Sequence, residues 1–138
     1  MARRTRVLLA KLGLDAHTIG VNVIAQALRD AGMEVIYSGL KQTPEMVANT
    51  AIQEDVDVIG MSSLSAAHMT HFPRVVELLR ERGAGDKLVI GGGVIPDEDS
   101  AALLEKGIER VFTMGTATTE IIAYIEAWQA GRGAGRDT

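Results

Sequence analysis

The sequence alternates short, mostly apolar runs with longer amphipathic segments, and this alternation repeats five times. The apolar runs are predicted to be strands and cover residues 7–10, 34–37, 56–61, 88–90 and 110–112. The amphipathic segments are predicted to be helices and cover residues 22–31, 43–54, 69–82, from about 96 onward, and 119–129. Strands without a polar face are typical of parallel sheets that helices cover on both sides. The sequence therefore predicts an α/β fold of the doubly wound, flavodoxin-like (Rossmann-type) class, a five-stranded parallel sheet in the order 2-1-3-4-5.

Local signals indicate where three of the helices begin. Thr43 is a suitable N-cap, and Pro44 then takes the first helical position. The fourth helix is expected to begin near Pro96, because three acidic residues that follow it suit the positive end of a helix dipole. Pro73 is compatible with the third helix only if it falls in the first turn.

Composition limits the size and the class of the protein. The chain has 138 residues, a net charge of −4 and no cysteine. This length suits one domain, predicted over residues 6–130, and the Gly- and Arg-rich residues 131–138 are predicted to form a flexible tail. The charge argues against a nucleic-acid partner, and the absence of cysteine excludes thiolate metal sites and thiol nucleophiles. No apolar run approaches the length of a membrane span, so we expect a soluble cytoplasmic protein.

Ligands of doubly wound folds bind beyond the carboxyl ends of the strands, and the loop after the first strand carries charged groups there. Lys11, Asp15 and His17 lie within seven residues of chain, and Gly13 and Gly20 are part of the same loop. Asp15 can accept a hydrogen bond from one ring nitrogen of His17, which leaves the other nitrogen for a metal or a proton. The alternative is a solvated loop in which Asp15 caps the next helix.

The other strand ends carry small residues. Ser62 and its neighbours follow the third strand, three consecutive glycines at 91–93 follow the fourth, and Gly115 and Thr116 follow the fifth. Such an edge leaves room for a flat or bulky ligand, although each loop alone is also compatible with an ordinary turn. Asp55 and Asp57 lie at the opposite end of the third strand and are predicted to be solvated turn residues.

This sequence does not have the residues that several common functions of this fold require. A phosphorylated receiver domain needs an aspartate at the end of the third strand, where Met61 and Ser62 stand. No phosphate-binding P-loop and no dinucleotide fingerprint follow the first strand. Flavin binding is disfavoured because the chain has only five aromatic residues, including Trp128.

Three motifs together resemble the cobalamin-binding domain of adenosylcobalamin-dependent mutases. They are Asp15-x-His17-x-x-Gly20, Ser62-x-Leu64 and Gly92-Gly93, in this order and at these strand ends. The resemblance covers residues from about 6 to 127. The segments around the motifs, such as residues 39–44 and 91–96, are most similar to the acyl-CoA mutase branch, which includes methylmalonyl-CoA, isobutyryl-CoA and 2-hydroxyisobutyryl-CoA mutases. In several of these the cobalamin domain is a separate small subunit.

The resemblance implies a role for each matching residue. His17 would be the lower axial ligand of cobalt in adenosylcobalamin. Asp15 would hydrogen-bond the other nitrogen of His17, with Lys11 close to Asp15, and these two residues are the expected catalytic residues. The nucleotide tail of the cofactor would pass between the sheet and its helices. The expected cofactor-binding residues are Asp15, His17, Gly20, Ser62, Leu64, Gly92, Gly93, Gly115 and Thr116.

The resemblance also implies a partner, because the chain has no second domain to bind acyl-CoA. A large mutase subunit with a barrel domain would bind the acyl-CoA, and the complex would catalyse a radical 1,2-rearrangement of its carbon skeleton. Ala16, Thr18 and Ile19 depart from the usual loop residues, so the substrate is left open. Three alternatives remain: a small subunit of the glutamate mutase type, a non-catalytic cobalamin carrier or sensor, and a scaffold without a cofactor. A corrinoid carrier of a methyltransferase is disfavoured, because that family places a helical cap before the domain.

Overall fold

The structure, a computed structural model, describes residues 4–11, 19–38, 42–63, 68–93, 95–113 and 116–136. In these residues strands and helices alternate along the chain. The strands are β1 (Arg6–Lys11), β2 (Glu34–Tyr37), β3 (Val58–Ser63), β4 (Leu88–Gly93) and β5 (Arg110–Thr113). The helices are α1 (Ile19–Asp30), α2 (Pro44–Gln53), α3 (His68–Glu81), α4 (Asp97–Glu105) and α5 (Thr118–Arg136).

The strands form one parallel sheet in the order β2-β1-β3-β4-β5, as the sequence predicts. The order reverses beside β1, because the chain runs from β1 to β2 on one side and then returns to β3 on the other. This arrangement brings the carboxyl ends of β1 and β3 side by side, where doubly wound folds bind their ligands.

Each face of the sheet has its own apolar core. Alternate strand residues, among them Leu8, Ile59 and Val89, pack with residues of α2, α3 and α4 on one face. The intervening residues, among them Val7, Val58 and Leu88, pack with residues of α1 and α5 on the other face. Burial on both faces explains why the strands read as continuous apolar runs.

Local capping places α2 and α4 where the sequence predicts them. The hydroxyl of Thr43 accepts a hydrogen bond from the amide of Met46 at 3.2 Å, and Pro44 takes the first position of α2. Helix α4 begins at Asp97, with Pro96 before it and acidic residues through its first turn. The first four amides of a helix have no partner within the helix, which is why these residue types are favoured there.

The expectation for Pro73 is wrong. Helix α3 begins at His68, so Pro73 is inside the helix and beyond its first turn. A proline has no amide hydrogen to donate to the carbonyl four residues earlier, which here belongs to Met69. Helix α3 nevertheless continues, because Phe72 and Val75 on either side of the proline are completely buried in the core.

The expectation for Asp57 is also wrong. Asp57 is only 3% exposed, and its carboxylate accepts a hydrogen bond from the amide of Arg6 at 3.0 Å. The amide of Asp57 in turn donates to the carbonyl of Arg6 at 2.9 Å. This reciprocal pair joins the amino ends of β1 and β3. Asp55, in contrast, has a side chain that is 75% exposed.

Some elements extend further than the apolar pattern predicts. Strands β3 and β4 continue to Ser63 and Gly93, and α5 continues to Arg136. Most of the predicted tail thus has a helical backbone, and its flexibility stays a prediction. None of the helices in the described part of the chain is long and apolar enough to cross a membrane.

Candidate functional site

One row of paired residues crosses the carboxyl edge of the sheet. Lys11 of β1 is paired with Ser62 of β3, which is paired with Gly92 of β4, which is paired with Phe112 of β5. The next row contains Ser63, Gly93 and Thr113. The fold therefore brings together residues that lie far apart in sequence, and three of the predicted site residues stand in a single row.

The two faces of the sheet differ at this edge. On the face towards α3, Met61 is 2% exposed, and a Cβ atom on Gly91 would lie 2.8 Å from a ring carbon of Phe72. That face is filled. On the face towards α1 and α5, Ser62 and Gly92 are partly exposed. Among the atoms of the described residues, a Cβ atom on Gly92 would meet only the carbonyl oxygen of Phe112 within 4 Å.

We call the space over Gly60, Ser62 and Gly92 the carboxyl-edge slot. Its floor has little side-chain volume, because two of these three residues are glycines. The Cδ2 atom of Leu9 limits the slot at Gly60, where an added Cβ would approach it to 2.9 Å. A flat group can lie on such a floor, and the hydroxyl of Ser62 can hydrogen-bond it.

An aromatic pair forms the β5 side of the carboxyl-edge slot. The rings of Phe112 and Tyr124 are 5.7 Å apart and nearly perpendicular, at 79°. The guanidinium carbon of Arg110 lies 5.2 Å from the centre of the Phe112 ring and 5.4 Å from that of Tyr124. Burial raises the pKa of Tyr124, the charge of Glu109 raises it further, and the charge of Arg110 lowers it.

Sequence reasoning did not identify Phe112 or Tyr124 as site residues. Phe112 was predicted only as the last residue of an apolar strand, and Tyr124 as part of an amphipathic helix. The scarcity of aromatic residues in the chain is a weak signal for both. Their position beside Gly92 follows from the pairing of β4 with β5 and from the packing of α5, which no local pattern reveals.

The other predicted site residues are placed as follows. Gly20 is the second residue of α1, which begins at Ile19 and therefore earlier than predicted. Thr116 lies two residues before α5 and is partly exposed. The remaining four, Asp15, His17, Leu64 and Gly115, lie outside the described residues.

The arrangement can be tested against a cofactor with a flat, polar tail. Among the described residues no cluster of histidine and acidic side chains could hold a metal ion by itself. His17, which the resemblance implies as the metal ligand, lies outside the described residues. The carboxyl-edge slot fits the flat part of such a ligand, because a side chain in place of Gly92 would occupy it.

Comparisons with known proteins agree with this geometry. Residues 5–123 match the family described as B12 binding domain. The chain is 60% identical to the 2-hydroxyisobutanoyl-CoA mutase small subunit of Aquincola tertiaricarbonis, over 94% of this chain and 95% of that protein. It is 46% identical to the pivalyl-CoA mutase small subunit of Xanthobacter autotrophicus, over 91% of this chain and 84% of that protein.

Two longer proteins contain a similar domain. The chain is 48% identical to methylmalonyl-CoA mutase of Cereibacter sphaeroides over 83% of its own length, but it spans only 16% of that protein. A cobalamin-binding protein from Desulfitobacterium hafniense has the same fold, with a TM-score of 0.78 at 21% identity, over 91% of this chain and 60% of that one. The chain therefore belongs to the B12-binding domain family, among the small subunits of acyl-CoA mutases.

Proposed function

We propose that this protein is the cobalamin-carrying small subunit of a heteromeric acyl-CoA mutase. In this proposal it holds adenosylcobalamin with the cofactor's own base displaced and with His17 as the lower ligand of cobalt. The observation that carries the proposal is the carboxyl-edge slot. Among the described residues, its floor lies on the face towards α1 and α5, in the same row as Lys11 at the end of β1. The sequence places His17 six residues after Lys11.

The carboxyl-edge slot is proposed to receive the nucleotide tail of the cofactor. Gly92 provides space for a flat base, and the Ser62 hydroxyl can hydrogen-bond the base or its sugar. Leu64, Gly93, Gly115 and Thr116 are proposed to complete this surface. Phe112 adds an apolar wall, which suits an aromatic base.

The segment between β1 and α1 is proposed to hold the cobalt end. Asp15 is proposed to accept a hydrogen bond from one ring nitrogen of His17, which would fix the tautomer and leave the other nitrogen for the metal. Lys11, at the end of β1, is proposed to lie near Asp15. Gly20, in the first turn of α1, lets the backbone approach the ligand closely. When bound, the cofactor supplies a weak cobalt–carbon bond for radical chemistry.

The reaction is proposed to be a 1,2-rearrangement of the carbon skeleton of a branched acyl-CoA, such as those in the names of the similar small subunits. The acyl-CoA is proposed to bind a large partner subunit through a barrel domain, and the cofactor is proposed to be covered between the two subunits. The glutamate mutase alternative is disfavoured, because the similarity extends over nearly the whole length of two acyl-CoA mutase small subunits. We further propose a cytoplasmic protein with its cobalamin-binding domain at 6–130 and a flexible tail at 131–138.

A cobalamin titration of the purified chain tests the proposal. The chain carries histidine labelled with nitrogen-15, and binding is followed by visible absorption and by electron paramagnetic resonance of the cobalt(II) form. We expect the spectrum of a displaced base together with splitting of the cobalt lines by one labelled nitrogen. In His17→Ala the splitting is expected to disappear, because the axial ligand is lost.

The chain offers a matched control in His71→Ala, which removes another histidine and is expected to keep the splitting. A chain that binds no cobalamin, alone or with the large subunit present, contradicts the proposal. Splitting that persists in His17→Ala contradicts the assignment of the ligand. The loaded subunit is also expected to rearrange acyl-CoA only together with a large subunit.

A further inference from the structure

Phe112 of β5 lies beside Gly92 of β4, at the floor of the carboxyl-edge slot. Phe112 is paired with Gly92 across β4 and β5, and its side chain is on the slot face of the sheet. In the part of the chain that the structure describes, no side chain lies within 4 Å of the position that a Cβ atom on Gly92 would take. An apolar ring beside a gap gains contacts if it turns into that gap. Two contacts with described residues hold the Phe112 ring in its present position.

Tyr124 provides the first of these contacts. Its ring meets that of Phe112 edge to face, at 5.7 Å and 79°, which is a favourable arrangement for two aromatic rings. Tyr124 belongs to α5, and its neighbours Ile121 and Ile125 are buried against the same face of the sheet. The edge-to-face contact therefore fixes Phe112 to a helix that is itself anchored in the core.

Arg110 provides the second contact. Its guanidinium lies over both rings, at 5.2 Å and 5.4 Å from their centres, within the range of a cation–π interaction. A nitrogen of the same guanidinium lies 3.7 Å from a carboxylate oxygen of Glu120, in the first turn of α5. Arg110 thus links the start of β5 to the start of α5 and covers the aromatic pair from the solvent side.

We propose that Tyr124 and Arg110 are positioning residues, which hold the Phe112 ring in place as a preformed wall of the carboxyl-edge slot. The inference rests on the proposed function and deepens it. In this proposal, Tyr124 and Arg110 set the width of the space that the nucleotide tail of cobalamin enters. Neither residue needs to touch the cofactor. Without them the Phe112 ring turns over Gly92, and the tail must displace it in order to bind.

Two corrinoids test the inference, because only one of them uses the slot. Cobalamin has the nucleotide tail, and cobinamide lacks it. Tyr124→Leu keeps an apolar side chain but removes the ring, and it is expected to weaken cobalamin binding about twofold to tenfold. Arg110→Gln is expected to weaken it about twofold to fivefold. Cobinamide binding is expected to be unchanged in both variants, as measured by absorption titration.

Two controls match these variants. Tyr124→Phe keeps the edge-to-face ring and is expected to bind both corrinoids as the wild type does. Arg82→Gln removes an arginine at the end of α3, whose guanidinium hydrogen-bonds Asn49, and is expected to leave both affinities unchanged. Thermal unfolding of each variant shows whether it is folded at the temperature of the titration.

The possible outcomes distinguish a failure of the inference from a failure of the proposed function. If the wild type does not bind cobalamin, the proposed function fails. If the wild type binds it and both variants bind it equally well, only the inference fails. Equal weakening for cobalamin and cobinamide also overturns the inference, because a general loosening of the domain does not depend on the tail. Weakening for cobalamin alone supports it.

Discussion

Two adjacent glycines of β4 have different expected roles, one in the stability of the fold and the other in ligand binding. Successive residues of a strand face opposite sides of a sheet, so Gly91 faces α3 and Gly92 faces the carboxyl-edge slot. A methyl group on Gly91 would lie 2.8 Å and 3.0 Å from two ring carbons of Phe72. A methyl group on Gly92 would meet one carbonyl oxygen at 3.2 Å and no other atom of the described residues within 4 Å. The sequence shows three glycines in a row and no difference between them.

Gly91→Ala is expected to lower the free energy of unfolding by about 1–3 kcal/mol, because it overpacks the core. The ring of Phe72 is completely buried, so it would have to move within the core to make room. Urea unfolding followed by circular dichroism measures the change.

Gly92→Ala is the matched control, since it adds the same methyl group to the next residue. Its effect on unfolding is expected to be smaller, and its effect on cobalamin affinity larger. An equal loss of stability in the two variants would contradict the assignment of the two faces.

At the scale of elements, the start of α2 shows what local sequence predicts well. The Thr43 hydroxyl accepts from the amide three residues later, and Pro44 lacks the amide that would need a partner. Both interactions are within four residues of chain, so the residue pattern contains them completely. This is why Thr43 and Pro44 are correctly assigned without knowledge of the sheet.

Thr43→Ala is expected to cost about 1 kcal/mol of stability, because the amide of Met46 loses its acceptor. Thr43→Ser retains the hydroxyl and is expected to remain close to the wild type. The midpoints of urea unfolding of the three proteins give the comparison. A serine variant as unstable as the alanine variant would show that the lost methyl group, and not the cap, is responsible.

Other elements depend on contacts that local patterns do not contain. Ser63 and Gly93 are poor strand formers, yet they end β3 and β4 because each is paired with the other across the sheet. Pro73 lies inside α3 because the flanking residues Phe72 and Val75 are buried. In each case a long-range contact outweighs the intrinsic preference of the residue.

At the scale of the whole molecule, the two ends of the parallel strands differ in role. They are the carboxyl edge, where the strands end, and the amino edge, where the strands begin. The carboxyl edge contains the slot and Lys11, the last residue of β1. The amino edge contains reciprocal hydrogen bonds between Arg6 and Asp57, and ion pairs of Arg6 with Glu34 and Glu54. We infer that changes at the amino edge affect stability and leave ligand binding intact.

Asp57→Ala tests this division. It is expected to lower the free energy of unfolding by about 1.5–3 kcal/mol, because the partly buried amide of Arg6 loses a charged acceptor. The cobalamin affinity of the folded variant is expected to be unchanged. Glu105→Ala, which removes an exposed carboxylate at the end of α4, is the control and is expected to change stability by less than about 0.5 kcal/mol. Weaker cobalamin binding by Asp57→Ala would contradict the division.

The sequence by itself determined the fold class and the order of the strands, and it predicts the edge of the sheet where the ligand binds. Apolar runs such as 7–10 report burial on both faces, and the motifs of His17, Ser62 and Gly92 follow three such runs. Only the tertiary structure decided which face of that edge is open and what encloses it. Phe72 closes one face, while Phe112, Tyr124 and Arg110 border the other, although all four lie in elements that look ordinary in sequence. The reason is physical: the periodicity of a segment reports that a residue is buried, but its partners come from distant segments that the fold brings together.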